Sequence, residues 1–194
     1  MRQAPNPDLA PARCFWTEYW HGLYATPRAW AHKGERLVHA FEAVAEATVD
    51  GSLHLDMRDQ ALMLAGMGIE VLLKAIIVNP LEARNIVSAS TSPPSDLAKT
   101  LWRAFYSHDL VNLAKEARVA LTEEQANTAA ALSQYIYWRG RYVLPTERGI
   151  DDLLPVKRAD GLVRQPHLDA TVETARSLVW HVIEHVKARL YGGA

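Results

Sequence analysis

One long apolar segment, residues 61–78, constrains the fold of this chain more than any other feature. It is long enough to raise the question of a membrane span, but Glu70 and Lys74 lie near its middle, one helical turn apart, and Asn79 and Pro80 follow it. Two charges at that depth are costly in hydrocarbon and ordinary on a helix that crosses a protein core. We therefore interpret the segment as a buried helix and expect a soluble protein that uses no membrane.

The composition of the whole chain fits a protein with one core. Its 194 residues are 49 % hydrophobic and 22 % charged, close to the average for globular domains. With 21 Lys and Arg against 22 Asp and Glu, the net charge is -1, which argues against a general nucleic-acid coater and leaves only a local basic patch. The single cysteine, Cys14, excludes an internal disulfide framework and a cysteine zinc site. We expect a reducing, cytoplasmic setting.

Apolar residues recur at helical spacing through most of the chain, which predicts an all-α fold. The predicted helices cover residues 16–23, 27–48, 56–78, 96–106, 107–117, 122–139 and 169–191. Ser107 is expected to cap the helix that follows it, and Thr122 with Gln125 is expected to form a capping box. Periodicity is lost before the last helix, where Asp160 and Gly161 are expected to turn a small hairpin.

The last helix carries His181, Glu184 and His185 in the H-x-x-E-H pattern of inverted zinc peptidases. Two histidines four residues apart share a helical face, so a metal pair is geometrically feasible. Those enzymes need a third ligand far downstream, and only nine residues follow His185. We therefore discard the peptidase and expect no metal and no other cofactor.

Residues 134–142 combine four aromatic side chains with two arginines and contain no acid. Aromatic faces stack on bases and guanidinium groups match phosphate oxygens, so Arg139, Arg141 and Tyr142 are candidate ligand-binding residues. The alternative is that the aromatic residues pack in the core, while Arg139 and Arg141 complement the dipole at the helix C terminus.

Arginine and histidine stand five positions apart twice, as Arg103 with His108 and as Arg176 with His181. Five positions on a straight helix turn the side chain by about 140°. Such a pair therefore shares a site only at a kink, at a helix junction or with a second subunit. Arg103 and His108 straddle a predicted junction at Ser107.

Three segments in order resemble the HEPN domain, a small helical module named for nucleotide binding in higher eukaryotes and prokaryotes. Residues 68–78 are similar to the long central helix of that family, which ends in an L-K-A-L-L-like run. Residues 107–113 resemble its H-D-L-x-x-L helix opening, and residues 138–145 resemble the R-Y-P stretch before its closing helix. The resemblance covers residues 56–190.

The HEPN resemblance implies an antiparallel helical bundle that dimerises through its helices. We accordingly expect a bundle over residues 56–194 and a helical arm, residues 1–55, packed on it. Family members are RNA-cleaving toxins and effectors, or non-catalytic forms that bind nucleotides or partners. The R-Y-P-like element fits the non-catalytic branch.

Our leading hypothesis is a homodimeric binding module for a nucleotide or RNA, in a toxin–antitoxin or phage-defence type of system. Arg139, Arg141 and Tyr142 would contact phosphate and base, with His108 and Asp109 nearby at a helix N terminus. His108 and Asp109 also have a structural interpretation. Asp109 in the first turn complements the helix dipole, and His108 forms hydrogen bonds at the junction.

Two other classes of function stay open. The first is a metal-independent ribonuclease, since Arg176 and His181 have the R-x4-6-H spacing of the HEPN ribonucleases, with the polar Ser177 after the arginine. His181 would act as general base on a ribose 2′-OH, and Arg176 would stabilise the phosphorane charge. The second is a protein-interaction subunit for a nucleotidyltransferase-like partner, which would bind no nucleotide.

Overall fold

A computed structural model describes residues 25–49, 57–80, 103–139, 156–157, 163–164 and 170–192. The helices among these residues pack as an all-α bundle, which confirms the predicted fold class. Its α helices are α1 (Pro27–Val49), α2 (Arg58–Val78), α3 (Leu110–Glu116), α4 (Glu123–Gln134) and α5 (Val172–Leu190). A π-helix, Tyr135–Arg139, continues α4, and residues 103–106 form a helical turn before α3.

Helix α2 lies at the centre of the bundle. It packs against α1, α3, α4, the π-helix and α5, and its buried residues lie all round its axis. A helix surrounded in this way is apolar on every side, which explains why its sequence shows little amphipathic pattern. Among the described helices it alone is long and apolar enough to cross a membrane, and most of it is buried inside the bundle. The predicted buried helix is confirmed.

Helix α1 crosses α2 at a close approach, and each helix has a glycine at the crossing. A Cβ atom on Gly34 would lie 2.6 Å from Cγ of Leu72, and one on Gly68 would lie 3.0 Å from Cγ2 of Val38. Close approach lets α1 bury Phe41 in the same hydrophobic core as α2 and α5. The described part of the predicted arm thus packs on the bundle, and the division of the chain at residue 55 stays a prediction.

Helix ends follow local capping chemistry, with one correction. The capping box of Thr122 and Gln125 is present, with distances of 3.2 Å and 3.0 Å between the paired atoms. The prediction that Ser107 caps α3 is wrong, because Asp109 is the N-cap and its carboxylate accepts from Asn112 N at 3.0 Å. The Ser107 hydroxyl instead accepts from Asp109 N, so it stabilises the turn before the helix.

The structure describes only part of the remaining predicted elements. Strand β1 (Val156–Lys157) pairs antiparallel with β2 (Val163–Arg164) at the predicted hairpin. Its turn residues, Asp160 and Gly161, lie outside the described residues, as do the predicted helix 16–23 and most of the helix 96–106. Helix α5 begins after a capping box of Thr171 and Thr174, and packs its apolar side against α2 and α4.

Candidate functional site

The centre of α2 carries a buried ion pair. Glu70 and Lys74 are only 8 % and 3 % exposed, and their spacing of four residues places both on one side of the helix. Lys74 Nζ donates to Glu70 Oε1 at 2.6 Å and to the Phe105 carbonyl oxygen at 2.8 Å. Each buried charge therefore has a partner, as burial in a core requires.

The second oxygen of Glu70 reaches a histidine from the loop before α3. Glu70 Oε2 lies 2.8 Å from Nδ1 of His108, whose side chain is 41 % exposed. A carboxylate paired with Lys74 accepts hydrogen bonds only, so Nδ1 of His108 donates and Nε2 of the neutral ring holds the lone pair. Within the described residues Nε2 has no hydrogen-bond partner. The ring is thus oriented by a buried carboxylate and presents an open nitrogen.

The loop that holds His108 is anchored on both sides. Ser107 N donates to the Ala104 carbonyl oxygen at 3.1 Å, which closes the preceding helical turn. At the start of α3, Leu110 N donates to Ser133 Oγ at 3.0 Å, and Ser133 Oγ donates to the Ala129 carbonyl oxygen. His108 therefore lies on a short junction fixed between α2 and α4.

The π-helix at the end of α4 brings a tyrosine to His108. Ile136 is buried against Gly66, where a Cβ atom would lie only 2.9 Å from Ile136 Cγ1. The next residue, Tyr137, is 44 % exposed, and its ring centroid lies 5.3 Å from that of His108 at an interplanar angle of 87°. Single π turns are frequent at functional sites. We call His108 and Tyr137, with Glu70 and Lys74 beneath them, the His108 site.

Of the predicted ligand-binding residues, His108 is the one whose side chain the described part of the structure places in the site. His108 is at the His108 site, whereas Asp109 serves as the N-cap of α3, which supports its structural interpretation. Arg139 belongs to the π-helix by its backbone, two residues after Tyr137. The side chain of Arg139 and the whole of Arg141 and Tyr142 lie outside the described residues.

Arg176 and His181 contact different elements. Arg176 donates to both carboxylate oxygens of Glu42 on α1, with Nε 3.0 Å from each oxygen and Nη2 2.7 Å from Oε2. That hydrogen-bonded pairing raises the pKa of Arg176 above its ordinary value. His181 Nε2 lies 2.9 Å from the Ala120 carbonyl oxygen in the loop before α4. The two side chains do not converge within one chain, as their helical offset predicts.

Sequence reasoning missed the role of Glu70, Lys74 and Tyr137 in the site. It recognised the two charges as a pair on a core helix, and their presence in an apolar segment was the available signal. Sequence reasoning did not connect His108 to the pair of Glu70 and Lys74, because His108 lies 38 residues from Glu70. Tyr137 was one aromatic residue of a cluster, with nothing in the spacing to distinguish it from its neighbours.

Comparison with known proteins adds no functional assignment. No family model matches this chain, and neither a curated protein nor a solved structure matches it at a significant level. Within the part of the chain that the structure describes, no group of three or more His, Cys, Asp or Glu side chains could hold a metal ion. Function is therefore inferred from the chemistry of the His108 site.

Proposed function

We propose that this chain is a HEPN-like, homodimeric binding module that recognises a nucleotide or RNA at the His108 site. The observation that carries the proposal is the open Nε2 of His108, whose Nδ1 is held by the buried Glu70, beside the exposed ring of Tyr137. A polar ring nitrogen next to an aromatic face suits a ligand that combines polar groups with a planar base.

With His108 protonated, the site carries one net positive charge and so suits an anion. Lys74 and Glu70 neutralise each other, so protonation of His108 gives the group a net positive charge next to solvent. A protonated imidazole donates from both nitrogens, to Glu70 through Nδ1 and to a phosphate oxygen through Nε2. Arg139 follows Tyr137 by two residues on the same π-helix and is the candidate for a second cation.

The arrangement of the HEPN-like segments also supports the proposal. The segment 68–78 supplies Glu70 and Lys74, and the segment 107–113 supplies His108. The third segment, 138–145, begins directly after Tyr137. The first two segments, separated in the chain, thus meet at the half-exposed His108, which supports a shared binding site.

Binding is tested by fluorescence anisotropy with two probes, a short end-labelled single-stranded RNA and a fluorescent ATP analogue. Loss of a stacked ring costs about 1–3 kcal/mol per base. The affinity of Tyr137→Ala for the probe that wild type binds more tightly should therefore fall by about 5- to 150-fold. The double variant, Tyr137→Ala with His108→Ala, should bind the same probe more weakly than Tyr137→Ala alone. Tyr191→Ala removes a similarly exposed tyrosine from the end of α5 and should leave affinity unchanged.

Each outcome of this experiment discriminates among the functions. Failure of the folded wild-type chain to bind either probe would overturn the proposal and favour the protein-interaction subunit. Cleavage of the RNA in excess EDTA, lost in Arg176→Ala and in His181→Ala, would instead establish the metal-independent ribonuclease. Light scattering on the same preparation measures the proposed homodimer.

A further inference from the structure

Helix α5, which contributes no residue to the His108 site, carries a second pair of interacting rings. His181 and His185 are one helical turn apart, and their ring centroids lie 4.9 Å apart at an interplanar angle of 74°. Both side chains are half-buried. Side chains four residues apart on a helix are close enough to bind one ion between them.

The hydrogen bond of His181 sets which of its nitrogens is available. Its Nε2 lies 2.9 Å from the carbonyl oxygen of Ala120, which only accepts. Nε2 therefore carries the hydrogen, and Nδ1 of the neutral ring holds the lone pair. Histidine ligands of metals commonly donate their other ring N–H to a backbone carbonyl, because that bond fixes the tautomer and the ring orientation.

His185 is the less constrained of the two rings. It makes no hydrogen bond within the described residues, so its ring nitrogens are uncommitted. An imidazole ring binds a metal ion through the lone pair of its neutral form.

We propose that Nδ1 of His181 and the ring of His185 together bind one borderline transition-metal ion of the Zn(II), Ni(II) and Cu(II) class, with water at its other positions. Imidazole nitrogen suits these metals, whereas Mg(II) and Ca(II) require oxygen ligands. The charge of Arg189, next to His185, opposes the binding of any cation and weakens the site. The guanidinium of Arg189 is itself held by the carbonyl oxygens of Ala117 and Arg118.

This site differs from the zinc peptidase that the H-x-x-E-H pattern suggested. The peptidase needs a third protein ligand, and its absence from the sequence was the reason to expect no metal. A two-histidine site needs no third ligand, and its affinity is correspondingly weaker. The Ala120 carbonyl, which fixes the His181 tautomer, lies 61 residues away in sequence and gives no signal in the motif.

The experiment is isothermal titration of the full chain, carrying no affinity tag, with Ni(II) and with Cu(II). We expect one ion per chain, and a loss of at least about tenfold in affinity in His181→Ala and in His185→Ala. The matched control is His32→Ala, which removes an exposed histidine of α1 that pairs with Glu35, and it should bind like wild type.

Equal affinity in wild type, His185→Ala and His32→Ala would overturn the proposal, because binding would then reside on scattered surface histidines. His181→Ala also removes the bond to Ala120, so this variant is the one at risk of misfolding. His185→Ala loses no hydrogen bond and decides the question alone. As a second readout, Ni(II) should raise the melting temperature of wild type and not that of His185→Ala.

Discussion

Glu70 Oε2 lies 2.8 Å from Nδ1 of His108, so a carboxylate inside the core fixes a ring that reaches the surface. The other oxygen of the same carboxylate accepts from Lys74 Nζ at 2.6 Å. One buried group thereby serves two purposes. It compensates a buried ammonium at the centre of α2, and it sets the tautomer of the histidine in the candidate ligand site.

Removal of Glu70 should be strongly destabilising. Glu70→Ala leaves the Lys74 ammonium buried with only the Phe105 carbonyl oxygen as a partner. Breaking a buried pair by deleting one member costs about 3–5 kcal/mol. Urea denaturation followed by circular dichroism measures the loss in the free energy of unfolding.

Two further variants control this measurement. Glu35→Ala removes the acid of the exposed His32 pair on α1 and should change the free energy of unfolding by at most about 0.5 kcal/mol. Replacing both buried charges, as Glu70→Leu with Lys74→Met, should recover most of the stability. If Glu70→Ala unfolds no more easily than Glu35→Ala, Lys74 is reaching water and the pair is not buried in solution.

The elements predicted best from sequence are those set by contacts near in the chain. The long helices and the capping box of Thr122 and Gln125 depend on neighbours within one or two turns, so periodicity and spacing predict them. The wrong prediction that Ser107 caps α3 also concerns contacts between residues close in the chain. Ser107 and Asp109 are both good N-caps. In the structure Asp109 caps α3, and Ser107 accepts from Asp109 N.

Features that depend on tertiary contacts could not be predicted. Helical spacing continues through residues 135–139, yet the chain adopts a π-helix there as Ile136 packs against Gly66. The π turn directs Tyr137 to His108, a contact between segments that no local pattern connects. The sequence therefore indicated the residue types of the candidate site but not which of them would meet.

Helix α1 should behave as part of the same cooperative core as α2. Phe41 is fully buried in the shared hydrophobic core, so Phe41→Ala should cost about 3–5 kcal/mol of the free energy of unfolding. The loss should appear in a single urea transition measured by circular dichroism. Lys33→Ala, an exposed change on the same helix, should have little effect. A separate early transition in Phe41→Ala would show that α1 unfolds independently as an arm.

Stability should depend on pH through Glu173, in the first turn of α5. A hydrogen bond from its own backbone amide lowers its pKa below the ordinary value of 4.5, and the Thr171 hydroxyl and the charge of Arg176 lower it further. Because the folded-state pKa is the lower one, the stabilisation is complete above about pH 4.5 and is lost as the pH falls through the folded-state pKa.

Melting temperatures of Glu173→Gln and wild type test this dependence. We expect the variant to melt lower at pH 7 and the two curves to merge at strongly acidic pH, where the wild-type carboxyl is protonated. Glu116→Gln is the control, since Glu116 is the last residue of α3, where the helix dipole does not favour a carboxylate. If the difference in melting temperature between Glu173→Gln and wild type were the same at every pH, the pH dependence would not come from Glu173.

The contact between Arg176 and Glu42 predicts a structural role for Arg176. Both side chains are partly exposed, so a double-mutant cycle of Arg176→Ala and Glu42→Gln should give a coupling energy of about 1 kcal/mol or less. The two single variants should lose similar amounts of stability. Neither should alter the binding of the RNA probe, because Arg176 contacts α1 and the His108 site is built from α2, the junction before α3 and the π-helix.

The same two variants separate this role from catalysis. An arginine that stabilises a phosphorane through Nε and Nη2 must first leave Glu42. A ribonuclease of that kind should retain or gain EDTA-resistant cleavage in Glu42→Gln while losing it in Arg176→Ala. A structural arginine should give no cleavage in wild type or in either variant. Cleavage by wild type and Glu42→Gln, but not by Arg176→Ala or His181→Ala, would place Arg176 in a composite active site. Since Arg176 and His181 diverge within one chain, that site would require the second subunit.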